Sequence, residues 1–223
     1  MIARICRETI PTSKSGECVE SARSIVLPRH LATPGNRGSW YLHRGEGDVT
    51  RSVMITLWDD VDAVAALAGV DSGSLVADHF SSGRSNVVQR NIQEYDVHSD
   101  NPQGAHKSGR TPSVGDSPMV ARLWRGVVPN EKTDAYLRYL VGFGARDYEK
   151  YVGYRSGHLL RRTEQVQTHI LLLSFWTSRQ AIRAYAGSNI DRAHYYAYDL
   201  ECLIDPSLNV EHYEVVVALG DLG

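Results

Sequence analysis

Three residues have side chains and positions suited to acid–base chemistry beside an aromatic surface. His158 stands near the start of a predicted strand, and an imidazole titrates close to working pH. Arg122 lies on a predicted buried strand, and Trp176 ends another. One hypothesis makes His158 the acid–base group, Arg122 the charge stabiliser and Trp176 a wall of the catalytic pocket. The alternatives are a hydrogen-bonded structural His, an Arg paired inside the fold and a Trp of the core.

Further residues could bind a ligand beside these three. A buried Arg122 needs an anionic partner, for which Glu164, Glu46 and a ligand phosphate are the candidates. His194 and Tyr198 have the i, i+4 spacing of one helix face, which could cover the pocket or simply alternate between surface and core. The candidate substrate-binding residues are Trp124, Tyr154, Leu172, Ser174, His194 and Tyr198.

The composition excludes several other classes of protein. A net charge of −2 does not indicate the basic surface that binds nucleic acid. No apolar run approaches the roughly 18 residues that span a membrane. The N-terminus resembles no signal peptide, and Cys6, Cys18 and Cys202 have no metal-like spacing, so a cytoplasmic protein with reduced thiols is expected. Scattered His residues without paired carboxylates predict no metal site, and neither a dinucleotide loop nor a nucleophile elbow is present.

The elements that must position these residues occur twice, because the chain repeats itself at a constant offset of 118 residues. Trp176 falls on Trp58 and Ala181 on Ala63. The first strands, the prolines that end them and a Gly-x-Arg segment also coincide at this offset. Matched pairs include Arg4 with Arg122, Pro11 with Pro129, Gly35 with Gly153, Arg37 with Arg155, and Tyr95 with Tyr213.

Periodicity and turn residues predict the elements of the second copy. Ser178 is the predicted cap of a short helix, and Gly187 ends it. The helix before the hairpin carries Gly142 and Gly144, which weaken its middle. The predicted elements are a strand over 119–128, a helix over 132–151, strands over 157–163 and 167–176, a helix after Ser178, a helix or broken helix over 190–203, and a strand over 211–219.

The order β-α-β-β-α-β is that of the ferredoxin-like fold, an antiparallel sheet with helices on one face. The strand over 170–175 is apolar at nearly every position, so both of its faces should be buried. The predicted fold class is therefore α+β, with tandem ferredoxin-like repeats forming an intramolecular barrel of the dimeric α/β type. The predicted domains are 1–98, a diverged copy, and 118–223, the active copy, joined by a Gly- and Ser-containing linker over 99–117.

The second copy resembles the antibiotic-biosynthesis monooxygenase family. The most specific match is the segment from Ser174 to Gly187, in which a strand ending in Trp is followed by a short helix. The other matching segments are 121–126, 153–162 and 212–215. The first copy is more diverged, since Cys6 replaces Trp124 and Trp40 replaces His158. The tandem arrangement resembles oxygenases that tailor aromatic polyketides, including the type that opens a ring of angucyclines.

This sequence departs from the resemblance at residues that matter. Cofactor-independent anthrone oxygenases of the family carry Asn and Tyr where this chain has Leu172 and Ile182. The haem-degrading branch needs an Asn on its first strand, which neither copy has, so haem is not expected. The resemblance therefore favours a supplied reductant such as reduced flavin.

The resemblance implies an oxygenase that hydroxylates a polycyclic aromatic polyketide, forms a quinone from it or opens one of its rings. Its expected site combines Trp176, Trp124 and Tyr154 as walls with His158 and an Arg as charge-handling groups. No tightly bound cofactor or metal is expected; reduced FMN or FAD would be a co-substrate supplied by a flavin reductase. A polyketide cyclase and a non-catalytic ligand-binding module on the same fold are the alternatives. Pairing of the fused pseudo-dimer into a homodimer stays open.

Overall fold

The computed structural model describes residues 1–70, 89–100, 119–144 and 146–220, and these residues form two compact units. The first unit runs from Met1 to Tyr95 and also contains the end of the last strand, from Glu214. Among the described residues, the second unit contains 96–100, 119–144 and 146–213. The proposed linker over 99–117 lies almost entirely outside the described residues, so the boundaries 1–98, 99–117 and 118–223 stay predictions.

The first repeat follows the predicted order of elements, with its first helix divided into segments. Its elements are β1 (Ile2–Pro11), a 3₁₀ turn (Thr12–Lys14), α1 (Ser15–Ser21), a π-helix (Ala22–Val26), α2 (Leu27–Ala32), β2 (Asn36–Glu46), β3 (Val49–Trp58), α3 (Val61–Val70) and β4 (Gln89–Asp100).

The second repeat has the same order. Its elements are β5 (Val120–Pro129), a 3₁₀ turn (Asn130–Lys132), α4 (Thr133–Tyr139), a π-helix (Leu140–Gly144), α5 (Arg146–Glu149), β6 (Tyr154–Thr163), β7 (Gln167–Trp176), α6 (Arg179–Ala186), α7 (Ala197–Cys202) and β8 (Glu211–Gly220). None of the helices in the described ranges is long and apolar enough to cross a membrane.

The offset of 118 residues holds in three dimensions down to single hydrogen bonds. The π-helices Ala22–Val26 and Leu140–Gly144 coincide at this offset. The indole Nε1 of Trp176 donates to the Ser174 hydroxyl at 3.0 Å, and that of Trp58 donates to Thr56 at 2.8 Å. Both indoles are fully buried and both bonds close the end of an apolar strand. The predicted duplication is confirmed.

The strands pair antiparallel within each unit. In the first unit β3 lies between β1 and β2, and β2 also pairs with β8 from residue 214 onward. In the second unit β7 lies between β5 and β6, and β6 pairs with β4 from residue 96 onward. Each unit therefore has the antiparallel strand pairing of a ferredoxin-like repeat, which confirms the predicted α+β fold class with tandem repeats.

The helix predicted over 132–151 is interrupted near its predicted weak point. The π-helix Leu140–Gly144 follows α4 and contains both glycines that weaken the helical backbone. A shared helix face for His194 and Tyr198 is wrong. The helix begins only at Ala197, where Tyr196 and Asp199 form a capping box, so His194 lies in the irregular segment before it.

The predicted ends of α6 are confirmed. The Ser178 side chain accepts a hydrogen bond from the backbone N–H of Ala181 at 3.1 Å. Gly187 ends the helix at φ +78°, a conformation that glycine adopts without steric cost. These two residues fix the length of α6 and thereby the direction in which Tyr185 leaves it.

The cysteines are free and buried, as predicted for packing residues. Burial raises the pKa of the Cys18 thiol to about 11, with the nearby Glu8 and Glu17 carboxylates adding to the effect. The thiol therefore stays protonated at neutral pH and is a poor nucleophile.

Gly153 is expected to tolerate no side chain. Its φ is +103°, and a Cβ atom there would lie 2.6 Å from both the Ala181 Cβ and the Thr177 Oγ1. We predict that Gly153→Ala lowers the free energy of unfolding by about 1–3 kcal/mol, measured by urea denaturation. Gly142→Ala is the matched control, because nothing lies within 4 Å of the added methyl group. Equal stability of Gly153→Ala and the native chain would contradict this packing.

Candidate functional site

A pocket opens in the second unit between the helix-covered face of the sheet and the helices and loop that cover it. It encloses about 440 Å³ of empty space, its open mouth included. We call it the tyrosine pocket, because aromatic side chains supply most of its lining. The lining residues are Trp124, Tyr136, Tyr139, Tyr148, Tyr185, Tyr195 and Tyr196, with Arg122, Leu140, Leu172, His194 and Asp199.

The floor of the tyrosine pocket comes from two paired strands. Arg122 and Trp124 alternate along β5 and stand opposite Ser174 and Leu172 of β7, so the four side chains share one face of the sheet. Gly126 follows on the same face, and a Cβ atom there would lie 2.5 Å from the Trp124 ring. The absence of a side chain at Gly126 therefore leaves room for the indole.

Arg122 is the cation at this floor. The side chain is only 2% exposed, and its Nη1 donates to the Tyr148 hydroxyl at 3.3 Å. Its Nε has no hydrogen-bond partner in the part of the chain that the structure describes, and the guanidinium carbon lies 5.5 Å from the centre of the Tyr185 ring. Among the ion pairs of the described residues, none joins Arg122 to a carboxylate within 4.0 Å.

The expected structural pairing of Arg122 with Glu164 or Glu46 is wrong. Glu164 lies at the hairpin turn, where Arg162 is 2.7 Å and His169 is 3.2 Å from its carboxylate oxygens. Glu46 is held in the same way by two arginines of the first hairpin. Both carboxylates are satisfied by neighbours on their own hairpins, and a ligand anion is the candidate partner that stays open for Arg122.

The charge of Arg122 also affects the pKa of a second buried group, His212. His212 is 2% exposed and its Nδ1 lies 3.0 Å from the Asp191 carboxylate. Burial and the positive charge of Arg122 lower the pKa of His212 to about 4, although Asp191 acts in the opposite direction. The imidazole is therefore neutral at pH 7, and Arg122 carries the positive charge of this region.

Tyrosines form the wall next to Arg122. The Tyr185 ring packs edge-on against Tyr148, with ring centres 4.6 Å apart, and stacks on Trp176 at 5.9 Å. Burial raises the pKa of Tyr185 far above its ordinary value, and Arg122 offsets only part of that effect. The hydroxyl is therefore protonated throughout the physiological range, and it interacts with the Tyr148 hydroxyl.

The opposite wall contains the carboxylate of Asp199, which is 5% exposed. Tyr136 donates to its Oδ1 at 2.8 Å, and the backbone N–H of Tyr196 donates to its Oδ2 at 2.8 Å. Burial and the Asp199 charge raise the pKa of the Tyr136 hydroxyl. Asp199 thus holds the start of α7 against α4, and its charge is already compensated by hydrogen bonds.

His194 stands at the mouth of the pocket with a defined tautomer. Its Nε2 lies 2.6 Å from the backbone carbonyl oxygen of Ala186, and a carbonyl only accepts, so Nε2 carries the proton. In the neutral ring Nδ1 is then the unprotonated nitrogen. A histidine in this state can accept a proton from a bound molecule.

His158 does not lie in the tyrosine pocket. The hairpin register pairs it with Leu173, which lies on the face of the sheet opposite to Leu172. A β-bulge between Tyr154 and Ser156 returns Tyr154 to the face of Trp176, so two residues of the same parity point in opposite directions. The structure therefore separates His158 from the other predicted site residues.

Of the nine predicted site residues, the structure brings Arg122, Trp124, Leu172 and His194 together in the pocket lining. Others lie just behind it: Trp176 and Tyr154 contact the pocket tyrosine Tyr148, and Tyr198 packs on Tyr139. Ser174 accepts the indole hydrogen bond of Trp176 and is buried. These residues support the lining.

Sequence reasoning missed most of the tyrosines that line the pocket. A signal was present, because only two of the twelve tyrosines, Tyr41 and Tyr95, precede residue 119. At the repeat offset, four pocket tyrosines meet residues without a phenol ring. Tyr136, Tyr139, Tyr148 and Tyr185 fall on Cys18, Ser21, His30 and Leu67.

No protein-family model matches this chain, and no curated protein matches its sequence. Solved structures do match nearly all of it. An anthrone oxidase-like protein superposes with a TM-score of 0.65 and 17% identity, over 98% of this chain and 92% of its own. A candidate monooxygenase of Fusobacterium nucleatum has a TM-score of 0.63 and 11% identity, over 97% of this chain and 91% of its own. A candidate monooxygenase of Lactobacillus acidophilus has a TM-score of 0.62 and 10% identity, over 100% of this chain and 96% of its own. The chain has the fold of these monooxygenase-like proteins.

Proposed function

We propose that the tyrosine pocket binds a planar polycyclic aromatic compound of the polyketide type and is the place where molecular oxygen oxidises it. The observation that carries this proposal is the lining, in which seven aromatic side chains surround a single buried guanidinium. Flat aromatic walls favour a flat aromatic ligand. The fold shared with the anthrone oxidase-like protein supports the same reaction class.

Conversion of an anthrone to a quinone balances without a further reductant. The ring methylene loses two hydrogens and gains one oxygen atom, while the second oxygen atom leaves with those hydrogens as water. His194 Nδ1 would accept the first proton, because its tautomer is fixed by the Ala186 carbonyl. The ring of the substrate then carries excess electron density, which is the form that reacts with oxygen.

Hydroxylation or ring opening would instead need two electrons from a reductant, and reduced flavin supplied by a reductase is the form we propose. Leu172 presents only methyl groups to the pocket, and Ile182 is fully buried in the core, so neither replaces the polar residue found in cofactor-independent relatives. Flat aromatic walls suit the ring system of a flavin as well as that of the substrate. In this proposal flavin acts as a diffusing co-substrate.

The first test is oxygen consumption by the full chain with a panel of anthrones and angucyclinones, with and without reduced FMN. We expect uptake that depends on the substrate, together with a quinone, hydroxylated or ring-opened product identified by mass spectrometry. Uptake without FMN would assign the anthrone reaction, and uptake only with it would assign a flavin-dependent one. A substrate that binds without oxygen uptake in either condition would contradict the proposal and favour a cyclase or a ligand-binding module.

His194→Gln should lower the turnover rate by about 10²–10⁴-fold, because a glutamine can fill the space but cannot accept the proton. Substrate binding, measured by fluorescence titration, should change much less. His169→Gln is the matched control, since this histidine lies at the hairpin beside Glu164 and outside the pocket lining. If both variants retain native turnover, His194 is not the proton acceptor.

A further inference from the structure

The charge of Arg122 lacks the compensation that other arginines of the second unit have. Arg125 lies 2.5 Å from Glu211, and Arg162 lies 2.7 Å from Glu164. Both of these arginines reach solvent, whereas Arg122 is 2% exposed and makes its described contacts with a tyrosine hydroxyl and an aromatic face. An isolated charge removed from water is costly unless an opposite charge meets it.

Neither of the nearest ionisable groups can supply that opposite charge. Asp199 also lines the pocket, but its two oxygens already accept from Tyr136 and from the backbone of Tyr196. Asp191 is paired with His212. The Nε of Arg122 is buried and has no partner among the described residues, although it is a strong donor in a fixed planar geometry.

We propose that Arg122 is an anion-binding residue and that the ligand of the tyrosine pocket is an acidic aromatic molecule, bound through an oxyanion conjugated to its ring system. This inference rests on the proposed function, and it names the class of substrate. A carboxylate on the ring, or the enolate of a hydroxyl next to a carbonyl, presents two oxygens that match the guanidinium donors. A neutral aromatic hydrocarbon of the same shape has no oxygens that could accept hydrogen bonds from the guanidinium.

The surrounding groups fit such a ligand. Tyr185 places its ring against the guanidinium, and its protonated hydroxyl adds no negative charge that would repel an anion. Trp124 lies two residues further along the same strand face and can stack on the rings of the ligand. The oxyanion would therefore sit at the floor with the fused rings directed towards the mouth.

The first repeat lacks these surroundings. Arg4 occupies the position of Arg122 at the repeat offset, but it is half-buried, and Cys6 stands where the second repeat has Trp124. The repeat thus offers an internal control, an arginine on the equivalent strand position without the aromatic lining.

The test is a fluorescence titration under nitrogen with anthracene-2-carboxylate and with its neutral analogue 2-hydroxymethylanthracene. On the native protein we expect the carboxylate to bind roughly 10- to 100-fold more tightly, the range of a hydrogen-bonded charge. Arg122→Gln should remove this preference and Arg122→Lys should restore part of it, since a lysine keeps the charge without the planar fork. Arg4→Gln should bind both compounds as the native protein does.

A thermal melt separates binding from a structural role. Arg122→Met replaces the uncompensated charge by an apolar chain of similar length, so the midpoint of unfolding should stay the same or rise while the carboxylate preference disappears. A clear fall in the midpoint of Arg122→Met would mean that the arginine serves the fold, and would overturn the proposal. Equal affinity of the native protein for the two anthracenes would also overturn it, whether or not any variant folds.

The outcomes keep this inference apart from the proposed function, because the titration needs no oxygen. A carboxylate preference that depends on Arg122, without oxygen uptake from any substrate, would leave the anion site standing and reject the oxygenase. Oxygen uptake from neutral and acidic substrates alike, retained by Arg122→Gln, would support the oxygenase and reject the anion site.

Discussion

The close contact between Gly153 and Ala181 is the constraint on which the second unit depends. The backbone N–H of Thr177 donates to the Gly153 carbonyl oxygen at 2.8 Å, which joins the end of β7 to the beginning of β6. This hydrogen bond holds the first turn of α6 against the sheet, and Ser178 caps that turn. The direction of that helix then decides where Tyr185 meets Arg122. The first repeat has the same contact between Gly35 and Ala63.

The two repeats use one backbone plan for different interiors. The strand-end indoles, their hydroxyl acceptors and the π-helices coincide, so these features belong to the plan. The pocket is not part of the shared plan, because it depends on side chains that differ between the two repeats at the same offset. Phenol rings on α4, α5 and α6 give a lining that is apolar over its faces and polar at its tips, whereas Cys18 and Leu67 fill the corresponding space of the first unit with core.

Sequence reasoning could predict the fold because the repeat and the apolar strands leave few alternatives. The ends of α6 were predictable for a local reason, since Ser178 and Gly187 act on the backbone beside them. The face of the sheet on which His158 lies was not predictable. It depends on the length of the hairpin loop and on a bulge near Arg155, and neither of these changes the apolar pattern of the strand. The partner of Arg122 was equally hidden, because salt bridges are decided by packing between distant segments.

Each repeat supplies a strand end that the other repeat needs. The end of β8 belongs to the first unit, where it pairs with β2, and the end of β4 belongs to the second, where it pairs with β6. A chain that lost either copy would leave the other with an unpaired strand at its sheet edge. The first repeat is therefore needed for the sheet of the second, although it lacks the tyrosine lining.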